Sequence, residues 1–171
     1  MKRLLVIPIL LVVAMLHSVQ AQDFANLGRQ QVERKEYAAA VESFSRAIEG
    51  GTQDASAYLY RGSAHFHMNQ LDKAETDFKE AIRRSPNSSI GYFNYGLVLD
   101  EKGKHSEAIA QYHSAIKLNP SDASAHYNLG NSYFKLHAYK DAAIHFQEAI
   151  RLNPQHPYAR NNLAIATEKA K

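Results

Sequence analysis

Apolar and small side chains return at three- and four-residue steps in pairs of short runs along this chain. This spacing is typical of two amphipathic helices joined as a hairpin. In the last full copy, the two runs predict helices over about 125–136 and 140–152. The pairs repeat every 34 residues, as one column of glycines shows: Gly28, Gly62, Gly96 and Gly130. A fixed period of this length predicts a stacked-repeat architecture.

Four units follow from the period, at residues 21–54, 55–88, 89–122 and 123–156. Small side chains let two helix backbones approach closely, which offsets the roughly 1 kcal/mol that glycine costs inside a helix. Residues 157–171 repeat only the first helix of a unit, with Pro157 in its first turn, and therefore predict a capping helix. Three further positions repeat with the same 34-residue period. The first is alanine, at Ala40, Ala74, Ala108 and Ala142; the second is aromatic, at Phe44, Phe78, Tyr112 and Phe146; and the third is again alanine, at Ala47, Ala81, Ala115 and Ala149.

These columns resemble the tetratricopeptide repeat (TPR) family. The fourth unit matches its pattern with Leu129-Gly130, Tyr133, Ala142, Phe146, Ala149 and Pro154. The first unit departs from the pattern, with Gln31 where tyrosine is usual and Thr52 where proline is usual. The resemblance implies an all-α fold, a right-handed α-solenoid of four helix-turn-helix units plus the capping helix. It also implies a concave groove, lined by the first helix of each unit, that holds an extended peptide or a partner helix.

The family's groove positions, carried onto this sequence, give the predicted partner site. Asparagine recurs there one repeat apart, and an amide can pair with an extended backbone because it both donates and accepts hydrogen bonds. The alternative is that these asparagines are simply solvated. Apolar members would offer anchors, although part of the set could instead belong to the core between repeats. The predicted site comprises Asn26, Leu59, Tyr60, Phe66, Phe93, Asn94, Leu97, Tyr127, Asn128, Asn131, Phe134 and Asn162.

The family's chaperone-binding members need lysine at the fifth position of a unit to clamp a C-terminal carboxylate. That position is Ala25, Leu59, Phe93 and Tyr127 in the four units. The sequence therefore does not predict binding to acidic chaperone tails.

The first 21 residues differ in character from the repeats. Lys2 and Arg3 precede an apolar run from Leu4 to Leu16, and small residues stand at Val19 and Ala21. Thirteen residues span roughly 20 Å as a helix, short of the roughly 30 Å hydrocarbon core of a bilayer. We expect a signal peptide over 1–21, cleaved after Ala21, and export to the bacterial periplasm or secretion. A retained membrane anchor is the alternative.

Cleavage there would reduce the 20 basic residues of the whole chain to 18, against 17 acidic ones. No basic cluster remains in the repeats, so nucleic acid is not an expected partner. Cysteine is absent, which excludes disulfides and thiolate metal sites.

No catalytic, cofactor-binding or metal-ligating constellation emerges from the remaining residues. His65 and His67 lie two apart and so face different sides of a helix. His105 and His126 occupy positions where a core aromatic is usual, and His113, His137 and His145 are expected to be scattered over the surface. The Asp100-Glu101 pair beside Lys102 is expected to be solvated.

Arg61 stands in unit two at a position that is apolar in the other units. A lone buried arginine costs several kcal/mol, so a partner is required. Asp77 faces it from the second helix and is the only acidic residue at its position across the units. The sequence predicts an ion pair between these two side chains.

The predicted function is a non-enzymatic adaptor of the cell envelope, with no cofactor and no membrane span once the signal is cleaved. It would bind an extended or helical segment of another protein or peptide in the concave groove. The alternative is a structural protein that self-associates as a homo-oligomer without a foreign ligand.

Overall fold

The computed structural model describes the backbone of residues 9–171 and the side chains of residues 17–171. All regular structure in this range is helical, as predicted. The helices are α1 Ile9–Glu33, α2 Tyr37–Glu49, α3 Ala55–His67, α4 Leu71–Arg84, α5 Ser89–Glu101, α6 His105–Leu118, α7 Ala123–Lys135, α8 Tyr139–Leu152 and α9 Ala159–Lys169. Each helix packs mainly on its predecessor and its successor along the chain, which is the arrangement of an α-solenoid.

The helix bounds agree with the periodicity to within two residues in the fourth unit. Two places differ from expectation. Pro157 lies outside α9, which begins two residues later at Ala159. Helix α1 begins at Ile9 and continues through Ala21, where the signal was expected to end. Ala21 is 3% exposed and lies against Gly50 at the end of α2.

The expected signal segment lies partly outside the described residues, since Lys2, Arg3 and Pro8 are not among them. Its cleavage remains a prediction. Within residues 9–171 no helix combines the length and the apolar character needed to cross a bilayer.

The turn inside each unit contains one residue in the left-handed conformation at the same repeat position. Its φ is +61° at Lys35, +57° at Asn69, +73° at Gly103 and +61° at His137. The next residue donates its backbone N–H across the turn, as Ala138 does to the Tyr133 carbonyl oxygen at 3.0 Å. This bond satisfies a carbonyl at the helix end. Only unit three has the glycine that this conformation favours, so the sequence did not reveal the turn.

The two helices of each unit meet where the glycine column faces the aromatic column. A Cβ added at Gly130 would lie 2.7 Å from the Phe146 ring, and one at Gly96 would lie 2.6 Å from the Tyr112 ring. Both rings are fully buried. The predicted reason for the small residues is therefore confirmed: they let the aromatic side chain of the second helix rest on the backbone of the first.

The predicted ion pair of unit two is confirmed and is bidentate. Arg61 donates from Nε to Asp77 Oδ2 at 2.9 Å and from Nη2 to Asp77 Oδ1 at 2.7 Å. A third hydrogen bond runs from Arg61 Nη1 to Ser45 Oγ at 3.1 Å. The Asp77 side chain is 4% exposed, and its hydrogen bonds raise the pKa of Arg61 above the ordinary value. This pair links α3 to α4, and no other unit has two charged residues at these positions.

We predict that Gly130→Ala destabilises the protein by about 1–3 kcal/mol because the buried Phe146 ring has no room to move aside. Helix propensity alone would favour alanine by about 1 kcal/mol, so the two effects have opposite signs. Urea unfolding followed by circular dichroism measures the difference. Ser124→Ala, exposed on the same helix, is the control and should be neutral or slightly stabilising. A Gly130→Ala variant as stable as the native protein would contradict the close-approach explanation.

We predict that Asp77→Ser destabilises the protein by about 2 kcal/mol, since it leaves the Arg61 guanidinium partly buried without its carboxylate. Adding Arg61→Leu should restore most of the loss, because Leu27 and Ser43 occupy the equivalent positions in unit one. Urea unfolding of the two single variants and the double variant measures this coupling. Additive losses would show that the two side chains do not act as a pair.

Candidate functional site

An open cleft of about 540 Å³ lies on the side of the solenoid formed by α5, α7 and α9. These are the first helices of units three and four and the capping helix, so the cleft runs along the predicted groove. Five of the twelve predicted partner-site residues line it: Leu97, Asn128, Asn131, Phe134 and Asn162. The other lining residues are Asp100, Glu101, His105, Ser132 and Lys135.

The remaining predicted residues lie outside this cleft. Leu59 lines a second and smaller depression between α3, α4 and the start of α5. Asn26 is exposed on α1, where its Oδ1 accepts hydrogen bonds from Gln22 and Arg29. Neither cleft contains Tyr60, Phe66, Phe93, Asn94 or Tyr127, all of which are half-buried on the first helices.

The seven apolar members of the predicted site all pack against core clusters while keeping part of their surface exposed. Tyr60 stacks on Phe44 with ring centroids 5.7 Å apart, and Tyr127 lies 5.7 Å from Phe146. Phe93 lies 6.0 Å from Tyr112 in the same way. All seven side chains therefore contribute to the core between repeats, and of these Leu97 and Phe134 also line the cleft.

The asparagines along the groove are partly bonded to the protein itself. Asn128 donates to the Ser124 carbonyl oxygen at 2.9 Å. Asn162 donates to Tyr127 OH and to Asn131 Oδ1, each at 3.1 Å. No hydrogen bond to the side-chain oxygens of Asn128 and Asn162 occurs among the described residues, so both retain acceptor capacity. Asn131 and Asn162 form an ordered amide pair, whereas Asn128 bonds within its own helix.

Asp100 is the polar centre of the cleft, and the expectation that it is solvated is wrong. Its carboxylate accepts hydrogen bonds from Tyr112 OH at 3.0 Å and from Ser132 Oγ at 2.7 Å, and its Oδ1 lies 2.9 Å from His105 Nδ1. One aspartate thus ties α5 to α6 and α7. Burial, reinforced by this carboxylate, raises the pKa of the Tyr112 hydroxyl. Glu101 next to it is exposed, as expected.

His105 and His126 differ in how far they match the predicted core role. His126 is 8% exposed and is buried as expected. His105 is only half-buried, because it turns towards Asp100 at the edge of the cleft. Its predicted role as a core aromatic is therefore wrong.

Of the three histidines expected to be scattered over the surface, His113 and His137 are exposed as expected, whereas His145 is half-buried and His113 lies beside it rather than apart. His145 stacks on Tyr133 with ring centroids 5.5 Å apart, and its ring lies 5.7 Å from that of His126 and 5.9 Å from that of His113. Burial and the two neighbouring histidines lower the pKa of His145 to about 4. Only His137 stands apart, in the turn between α7 and α8, with Nδ1 2.7 Å from Tyr139 OH.

Among the described residues, no group of three or more histidine, aspartate and glutamate side chains is arranged as a metal site. The Asp100 cluster also lacks the geometry of nucleophilic catalysis. Ser132 donates directly to the carboxylate rather than to His105, so the serine–histidine contact of a catalytic triad is missing.

Four family models match consecutive, overlapping parts of the chain. They are described as TPR repeat, over residues 98–137, and as tetratricopeptide repeat, over residues 26–89, 78–110 and 123–156. The chain belongs to the tetratricopeptide repeat family. This family is in general a non-catalytic protein-interaction scaffold.

Known proteins that resemble this TPR chain do so over their repeats and not over their whole length. Small glutamine-rich tetratricopeptide repeat-containing protein 2 of Saccharomyces cerevisiae is 28% identical over 85 residues, 50% of this chain and 25% of that protein. The chain therefore spans about a quarter of that relative's length. A crystal structure of MamA superposes with a TM-score of 0.76 at 25% identity, covering 79% of each chain.

A structure of YrrB, a TPR protein with an unusual peptide-binding site, also matches this TPR chain. It superposes with a TM-score of 0.76 at 23% identity, covering 82% of this chain and 73% of that one. At this identity the likeness concerns the fold.

We predict that Asp100→Ala destabilises the protein by about 1–3 kcal/mol, because the buried Tyr112 hydroxyl loses its acceptor. Glu101→Ala, one residue along the same helix, is the matched control and should change stability by less than about 0.5 kcal/mol. Thermal and urea unfolding measure both variants. Equal effects would mean that the Asp100 hydrogen bonds contribute nothing beyond an exposed carboxylate.

Proposed function

We propose that this protein is an exported, non-enzymatic adaptor of the cell envelope that binds an extended or helical segment of a partner protein in its groove. The observation that carries the proposal is the open cleft between α5, α7 and α9, whose lining combines apolar side chains with asparagine amides. Membership of a protein-interaction family and the peptide-binding site named for YrrB support the same use.

The chemistry of the cleft favours a segment with both apolar and backbone contacts. Leu97 and Phe134 present apolar surface, while Asn128, Asn131 and Asn162 present amides. Asp100 and Glu101 contribute two acidic groups to the lining and Lys135 one basic group, so a strongly acidic partner is not favoured. An extended backbone with alternating apolar side chains fits this surface.

Export to the periplasm or beyond remains part of the proposal. It rests on the sequence pattern of residues 1–21, with small residues before Gln22. Fractionation of the native cell, with mass measurement of the mature chain, tests it directly. A chain that retains residues 1–21 in the cytoplasm would contradict it.

Two adjacent asparagines on α9 allow a test of whether the groove is the binding surface. Asn162 lines the cleft, whereas Asn161 beside it is exposed and lines neither cleft. A random peptide library displayed on phage, selected on the tag-free protein, would supply a ligand for fluorescence polarisation. We expect Asn162→Ala to weaken binding of that ligand by about 2–10-fold, the value of one hydrogen bond, and Asn161→Ala to leave it unchanged.

Two outcomes would contradict the groove as the binding surface. One is equal binding by the native protein and the Asn162→Ala variant. The other is equal loss in the Asn161→Ala variant, which would place the ligand on the outer face of α9. Light scattering at the same concentrations separates peptide binding from self-association, because a monomer at high concentration excludes the self-associating alternative.

A further inference from the structure

His126 on α7 and His145 on α8 bring two imidazole nitrogens together at one point of the fourth unit. Their Nδ1 atoms are 3.4 Å apart. Two nitrogens that bind one tetrahedral Zn²⁺ at about 2.0–2.1 Å are separated by roughly 3.3–3.4 Å. The two nitrogens are within hydrogen-bond distance of each other, and their separation also matches that across a shared tetrahedral ion, which would replace this contact.

The two rings are held in place by their neighbours. His145 lies parallel to the Tyr133 ring, with an interplanar angle of 1°. The Tyr133 hydroxyl in turn lies 3.1 Å from His113 Nε2. Fixed ring orientation is what outer groups supply to metal-binding histidines.

Two carboxylates lie near the histidine pair, one of them, Glu148, already paired with Arg151, and a cleft gives solvent access to the pair. Asp141 and Glu148 stand four residues before and three residues after His145, so the three side chains share one face of α8. Both carboxylates act electrostatically on His145. An open cleft of about 630 Å³ is lined by His126, His145 and Glu148, together with apolar residues of α8 and α9.

We propose that His126 and His145 bind a divalent transition-metal ion such as Zn²⁺, Ni²⁺ or Cu²⁺ through their Nδ1 atoms. Imidazole suits these ions, and neutral imidazole is the form that binds them. Water from the cleft completes the coordination, since the protein supplies two ligands. The ion would join α7 to α8 at the end of the repeats and stiffen the unit next to the groove.

Isothermal titration calorimetry of the tag-free, EDTA-treated full chain with ZnCl₂ tests the site. We expect one Zn²⁺ per chain and a rise in melting temperature that EDTA reverses. His126→Gln and His145→Gln should each weaken binding by at least ~10-fold. His67→Gln is the matched control, because His67 is exposed and stacks on Tyr37 in the first half of the chain. It should bind Zn²⁺ as the native protein does.

A second measurement does not depend on how the variants fold. Co²⁺ added to the native protein should give visible absorption bands of a low-symmetry nitrogen and oxygen site, and ZnCl₂ should abolish them. The proposal is overturned by an absence of Zn²⁺ binding and of the Co²⁺ bands in the native protein. Native affinity in folded His126→Gln and His145→Gln variants would overturn it as well.

Discussion

The whole structure depends on how closely the two helices of each unit approach. In all four units, a Cβ at the glycine would come within 2.6–2.9 Å of the aromatic ring of the partner helix. Such contacts are tighter than a packed interior allows, so only glycine permits this geometry. Because the constraint recurs every 34 residues, each hairpin has the same shape and stacks on the next in the same way. A continuous inner face follows from that regularity, and the cleft lies on this face.

At a second repeat position the polar side chain differs from unit to unit, while the packing of the two helices stays the same. The residue just before the aromatic column points back towards the first helix. It is Ser43 in unit one, where it donates to Gln31 Oε1 at 2.7 Å. In unit two it is Asp77, paired with Arg61. In unit four it is His145, stacked on a tyrosine and beside a second histidine. Helix packing is the same in these units while the side chain at this position varies, so the position carries an ion pair in unit two and, under the metal-binding proposal, would hold a ligand in unit four.

Most of the fold could be predicted from the sequence because the 34-residue period follows directly from how the helices pack. The glycine and aromatic columns fix the helix pairs, and Arg61 predicts its own partner because a buried charge needs one. The left-handed turn residues could not be predicted, since Lys35 and His137 carry no glycine signal and are held by the bond across the turn. The Asp100 and His145 clusters were missed for a different reason. Each cluster joins residues of three helices, and the spacing of residues within one helix does not predict contacts between helices.

The apolar side chains of the cleft also pack against the core, and this determines how the cleft can bind. Leu97 and Phe134 are therefore already ordered, and a ligand would not bear the entropy of fixing them. Tyr60, Phe93 and Tyr127 lie outside the cleft, each on the aromatic residue that fills the helix pair of a unit. The same packing makes them poor probes of binding, because their truncation also removes core contacts. The asparagines that line the cleft are not part of the core clusters, which is why Asn162, compared with Asn161, separates recognition from stability.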